Sequence, residues 1–174
     1  MPLIKNGRPA EDRYVRVEDD APIPEGVPVI VPAARFLADA DEILRRDAPT
    51  GVVWPNNRKV AELEPWLDRL ALVGLTFPNF KDGRGYSQAR VLRERCGFAG
   101  ELRATGQILR DQFLFLVRAG FDAFEVAKPG EAEAFAAAIA RYSVFYQSAG
   151  DERAPAMRRR LARMAGPARH ELVR

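Results

Sequence analysis

The segment Phe80-Lys81-Asp82-Gly83-Arg84-Gly85-Tyr86-Ser87 sets two cations, a carboxylate, two glycines, a phenol and a hydroxyl between an apolar run and an amphipathic stretch. Glycines let successive backbone N–H groups curl around an anion, and a helix start adds partial positive charge. Lys81 and Arg84 add full charges, and a guanidinium grips phosphate, sulfate or carboxylate with two prongs. Lys81, Gly83, Arg84, Gly85 and Ser87 therefore form a candidate oxyanion site, with Ser87 placed to cap the helix. The bland alternative is a tight strand-to-helix turn whose charges sit in solvent. The segment is not a Walker loop and lacks the G-x-G-x-x-G pattern.

A second constellation, Arg103-Ala104-Thr105-Gly106-Gln107, closes the next apolar run. In a strand, Glu101, Arg103 and Thr105 share one face. A charged Arg103 in a strand covered on both faces needs a partner, which is either a ligand anion or a carboxylate such as Glu125 or Asp82. Thr105 and Gly106 join the candidate anion set. Arg110, from the polar cluster Arg110-Asp111-Gln112, reaches back toward the strand ends. For proton transfer the candidates near the loop are Asp82 and Tyr86, with Lys81 beside them.

Other chemistries are poorly equipped. His170 is the single histidine and lies in the tail, which argues against Ser-His-Asp catalysis and His-rich zinc sites. Cys96 is the single cysteine; it excludes an internal disulfide and a cluster held by four thiolates of this chain. It reads as a small apolar residue before the helix-ending Gly97. There is no CxxC pair and no dinucleotide fingerprint, so neither a metal nor a cofactor is expected.

The elements that must position these groups alternate. Short apolar runs at residues 29–31, 52–54, 71–77, 101–105 and 123–126 read as strands. Between them, residues 33–46, 60–70, 86–96 and 108–119 read as helices with one apolar face, and residues 130–146 as an alanine-rich helix. Gly97 and Gly120 stand where helices end. Upstream, Leu3-Ile4-Lys5 meets the turn signal Asn6-Gly7, and Tyr14-Val15-Arg16-Val17 alternates like a strand. Strand–helix–strand spacing of this kind belongs to right-handed βαβ units. The fold expected is α/β, a parallel sheet of about five strands forming a half-barrel of (β/α)8 type or an open sheet, with an irregular β N-terminal segment. An open edge then needs that segment, or a partner subunit in a homo-oligomer, to protect it. Phe113, Phe115, Phe121 and Phe124 read as core.

At 174 residues the chain reads as one α/β domain over residues 1–150 and a basic tail over 151–174, helical or frayed. Residues 153–174 hold seven arginines and one glutamate, a net of +6; the whole chain is +3, so residues 1–152 carry −3. No RNP motif, zinc finger or aromatic-interleaved basic stripe points to nucleic acid. No apolar run approaches the ~18 residues of a membrane span, and the N-terminus lacks a signal-peptide core, so the expectation is a cytoplasmic protein without a membrane partner.

Two resemblances add to this reading. Thr76, Asp82-Gly83, Ala104-Thr105-Gly106 and Gly120-Phe121-Asp122-Ala123 are similar to the late strands of phosphoribosyl-type (β/α)8 isomerase barrels. The acid those enzymes place after the threonine is Phe77 here, and their second phosphate-loop glycine is Gln107. That resemblance implies a barrel-like arrangement with an anion-tolerant rim, and argues against the isomerase chemistry. The second covers roughly residues 25–146. The run Phe80 to Arg90, Gly100-Glu101-Leu102-Arg103-Ala104-Thr105-Gly106, Leu109-Arg110-Asp111-Gln112 and Gly120-Phe121-Asp122-Ala123-Phe124-Glu125 resembles the bacterial family DUF934. Genes of that family commonly lie beside those of sulfite reductase and of adenylyl-sulfate or phosphoadenylyl-sulfate (APS/PAPS) reductase. The resemblance thus implies an accessory role in assimilatory sulfate or sulfite reduction and cysteine biosynthesis, with a reductase or a small anionic ligand as partner. The alternative is a small lyase, isomerase or transferase acting on a phosphorylated or sulfated metabolite.

Overall fold

A computed structural model describes residues 1–128, 130–149 and 153–164. The strands are β1 (Leu3–Lys5), β2 (Arg8–Ala10), β3 (Val15–Arg16), β4 (Val29–Pro32), β5 (Thr50–Trp54), β6 (Leu72–Phe77), β7 (Glu101–Gly106) and β8 (Ala123–Glu125). They form a single sheet in the order β2-β1-β8-β7-β6-β5-β4-β3, curled into a half-barrel. From β3 to β8 neighbours run parallel. β1 pairs antiparallel with both β8 and β2. The sheet therefore has eight strands rather than about five, and it is mixed rather than parallel. The difference lies in the N-terminal segment. Its three short strands protect both edges, two beside β8 and one beside β4, so each open ladder meets a backbone partner.

Helix α1 (Ala33–Ile43) follows β4, α2 (Arg84–Arg90) follows β6, and α3 (Phe113–Ala119) follows β7. Helices α4 (Glu131–Ala140) and α5 (Ala156–Met164) come after the sheet. Residues Val60–Arg69 form a 3-10 helix instead of an α-helix. Pro65 within it has no N–H to give to an i−4 carbonyl, which removes an α-helical bond from the middle of the segment. Helix α2 runs on into a π-helical turn, Val91–Arg95, and the chain turns at Gly97 with φ +67°. Gly120 ends α3 with φ +106°. Helix α4 stops well before residue 146, because no described side chain beyond Ala140 is buried to hold it. In the basic tail α5 is helical; the residues after 164 lie outside those described.

Sequential strand order with right-handed crossovers puts the helices between β4 and β8 on one face, the convex one. That face carries Val29, Val31, Val52, Trp54, Val73, Leu75, Phe77, Leu102, Ala104 and Phe124, all buried in the main core. Phe113, Phe121 and Phe124 lie in the core as expected. Phe115 does not; it is 62% exposed. It sits two residues after the buried Phe113, which turns it about 200° to the outer face of α3.

The opposite face is concave. Register makes Arg16, Ile30, Gly51, Leu72 and Glu101 successive neighbours, and alternation adds Val53, Thr76, Arg103, Thr105, Ala123, Glu125 and Lys5. Residues 11–14 connect β2 at one edge of the sheet to β3 at the other. Eight flat strands at ~4.8 Å spacing would separate those edges by roughly 34 Å. The extended chain from Ala10 to Val15 reaches at most about 18 Å. The strap can close only because the sheet is strongly curled, and it passes over the concave face.

Candidate functional site

Three neighbouring regions carry the chemistry: the concave interior, the rim loops after β6 and β7, and a cavity at the carboxyl mouth of the half-barrel.

In the interior, Arg103 projects from β7 and is 1% exposed. Its guanidinium meets Glu101 at 2.8 Å, Asp12 of the strap at 2.7 Å and Glu125 of β8 at 3.2 Å. Tyr14 lays its ring 5.7 Å from the same guanidinium. Glu101 also takes Lys5 at 2.6 Å. Glu125 also takes the Thr105 hydroxyl at 2.7 Å and the Arg16 guanidinium. Lys5, Arg16 and Arg103 thus balance Asp12, Glu101 and Glu125. Burial opposes the charge on Arg103, but the carboxylates of Asp12 and Glu101 outweigh it and hold the cation. Burial would raise the Asp12 carboxyl, yet the hydrogen bonds and charge of Arg103 leave it below its ordinary value. The hydrogen bond to Glu101 raises Lys5. The partners of Arg103 are therefore protein carboxylates, of which Glu125 is legible from the sequence. Asp12, which comes from a segment 91 residues away, is not.

On the rim, Asp82 occupies the start of α2. Its carboxylate accepts from the Arg84 N–H at 3.2 Å and from the Arg84 guanidinium at 2.6 and 2.9 Å. These bonds hold the Asp82 carboxyl well below the usual carboxylate range. The anion already present at this helix start is the protein's own. Ser87 lies inside α2 rather than at its cap, and Gly83 stands at the cap position. Gly85 has a packing reason: a Cβ there would fall 2.6 Å from the Phe77 ring, so glycine lets α2 press onto β6. Gly106 has a conformational one, with φ +97° and the Phe77 carbonyl 2.5 Å from where a Cβ would stand. Tyr86 stacks edge-on to Phe77, and burial, with the nearby Asp111 charge, pushes its phenol up to about 12.

The loops after β6 and β7 are tied into one surface by Gln112, which the sequence places in the Arg110-Asp111-Gln112 cluster without a role of its own. Its amide donates to the Phe80 carbonyl at 2.7 Å and accepts from the Leu109 N–H at 3.0 Å. Phe80 and Leu109 remain 39% and 42% exposed, and the Lys81 ammonium rests 5.6 Å from the Phe80 ring centre. Arg84 and Arg110 flank them, both exposed, Arg110 3.7 Å from Glu131. The sequence-derived set therefore separates. Lys81, Gly83, Arg84, Ser87 and Arg110 lie on the rim, while Arg103 and Thr105 belong to the interior network.

The sequence model of a family described as bacterial protein of unknown function (DUF934) matches residues 51–157. The chain belongs to the DUF934 family. The match begins in β5 and ends in α5, later at both ends than the resemblance suggested. Both rim loops lie inside the DUF934 match; the strap, Arg16 and β1–β4 precede it. No curated protein matches the chain. Among the described residues of this DUF934 protein, no helix is long and apolar enough to cross a membrane.

Proposed function

We propose that the protein is an accessory component of assimilatory sulfate or sulfite reduction that docks onto a reductase through the Gln112-tied rim. The observation that carries this reading is the separation of the cations. The buried Arg103 is neutralised by three carboxylates inside the sheet, whereas Lys81, Arg84 and Arg110 stand exposed around two exposed apolar side chains, Arg84 on Asp82 and Arg110 3.7 Å from Glu131. Aromatic and arginine groups are enriched at protein interfaces, and the mixed charges around Phe80 and Leu109 suit a polar rim around an apolar centre. The alternative, a small lyase, isomerase or transferase, draws little from this loop. Asp82 is held ionised by Arg84, and Tyr86 holds its proton far above neutral pH. The sulfate-reduction setting comes from the gene neighbourhood of the family and the docking surface from the rim geometry.

The test is growth of a deletion strain on sulfate, sulfite or sulfide as sole sulfur source, with retention of sulfite reductase on the immobilised protein. Growth on sulfide but not on sulfite, with retention lost in the Lys81→Glu/Arg84→Glu variant, is the expected result. Normal growth on all three sources and no retention would overturn it.

A further inference from the structure

The concave face has two dissimilar halves. Toward β7, β8 and β1 it is filled by the charge network. Toward β3–β6 it is lined by Ile30, Pro32, Val53 and Thr76, and there a cavity of about 380 Å³ opens at the carboxyl ends of the strands. Sheets of parallel strands joined by helices place ligands at that end, where the loops converge. The volume falls within the ~300–1,000 Å³ range of small-molecule sites, and the walls are apolar with a few polar groups, as such sites require.

The polar groups are a cation, an anion and a hydroxyl. Arg16 and Glu18 both line the cavity from the strap side. Two residues apart on extended chain, their Cα atoms stand roughly 6.6 Å from each other. Thr76 faces them from β6, and its hydroxyl is engaged by no other described residue. The Arg16 side chain is 46% exposed although it touches Glu125. Glu125 keeps Arg103 at 3.2 Å and Thr105 at 2.7 Å, so Arg16 can turn to a ligand without orphaning that buried carboxylate.

Charge balance selects the ligand class. Arg16 is the one member of the charge network that lines the cavity, and Glu18 lines it beside Arg16. A bare anion on Arg16 would stand beside Glu18 with no second cation in the lining. A zwitterion would not. We propose that this cavity binds a small free α-amino acid, its carboxylate on Arg16, its ammonium toward Glu18 and its side chain against Ile30, Val53 and Pro55. The site is separate from the rim and does not depend on the reductase-docking reading.

Binding to N but not U raises the unfolding midpoint with ligand concentration. The full chain is therefore heated with each proteinogenic L-amino acid at millimolar concentration, and hits are titrated by calorimetry. The expected result is stabilisation by at least one small amino acid, absent with its N-acetyl and carboxamide derivatives and with sulfate. Affinity falls at least tenfold in Arg16→Gln and in Val53→Phe, which fills the cavity from its apolar wall, and is retained in Arg84→Glu. Val53→Phe leaves the ion pairs intact and so keeps the test informative where Arg16→Gln fails to fold. Stabilisation by none of the amino acids, equal stabilisation by the N-acetyl derivative or sulfate, or unchanged affinity in Val53→Phe would overturn the proposal.

Discussion

The guanidinium of Arg16 rests on the carboxylate of Glu125, although the strands that carry them are separated by four others in the sheet. A contact between β3 and β8 across the concave face is possible only because the sheet curls. It belongs to the network that buries Arg103 among Asp12, Glu101 and Glu125. Removing one member of a buried ionic cluster leaves its partners uncompensated, at a cost of about 3–5 kcal/mol. Arg103→Ala is therefore expected to lower stability by that amount in urea unfolding. Arg103→Met combined with Glu101→Gln and Glu125→Gln should recover most of the loss. A single variant within about 0.5 kcal/mol of the parent would contradict this role.

Asp12 ties the strap to Arg103, and its carboxyl sits below its ordinary value because the bonds and charge of Arg103 outweigh burial. A depressed folded pKa contributes stability that is fully present above the unfolded carboxylate pKa of about 4 and is lost as pH falls through the folded value. Asp12→Asn should lower stability at neutral pH and flatten its decline below about pH 4. Urea midpoints measured across that range check this; an acid limb as steep as the parent's would remove Asp12 from the account.

Gln112 bridges Phe80 and Leu109 on a largely exposed surface, so its two bonds contribute only about 0.5–1.5 kcal/mol each to stability. Gln112→Ala should change the unfolding midpoint little, yet speed hydrogen exchange in both rim loops. If the rim docks a reductase as proposed, Gln112→Ala should weaken that retention more than it weakens folding. Equal loss of binding and stability would mean that the surface is not pre-formed by this residue.

Gly106 is required by the backbone. Its φ of +97° and the Phe77 carbonyl leave no place for a Cβ. Gly106→Ala is expected to cost about 1–3 kcal/mol. The Gln107 N–H to Phe77 carbonyl bond, 2.8 Å here, should show faster exchange. Gly83→Ala, where a Cβ meets nothing closer than 4.0 Å at Tyr86, serves as the tolerated control.

The convex half of the fold was legible because its determinants are local. Apolar runs at β4–β8, the helical face of α1 and the stops at Gly97 and Gly120 are period and turn signals carried by adjacent residues. Residues 3–5 and 14–17 read as β from the sequence, but β2 at Arg8–Ala10 holds Pro9 and no alternation, and strands of two or three residues carry no pairing signal, so the expected parallel sheet has about five strands. The helix type at residues 60–69 turns on Pro65, a local signal that an apolar-periodicity reading of the segment passes over.

By itself the sequence determined the alternation of strands and helices, the need of Arg103 for a carboxylate or anion, and the position of the loop at residues 79–87. It did so through periodicity and through the cost of burying charge, both properties of neighbouring residues. Tertiary structure alone decided that Asp12, Arg16 and Lys5 share one interior with Glu101 and Glu125, that Arg84 closes on Asp82, and that Gln112 joins two loops. Those relationships depend on the curl of the sheet and on a short strap that carries the N-terminal segment across it. Sequence spacing holds no measure of either.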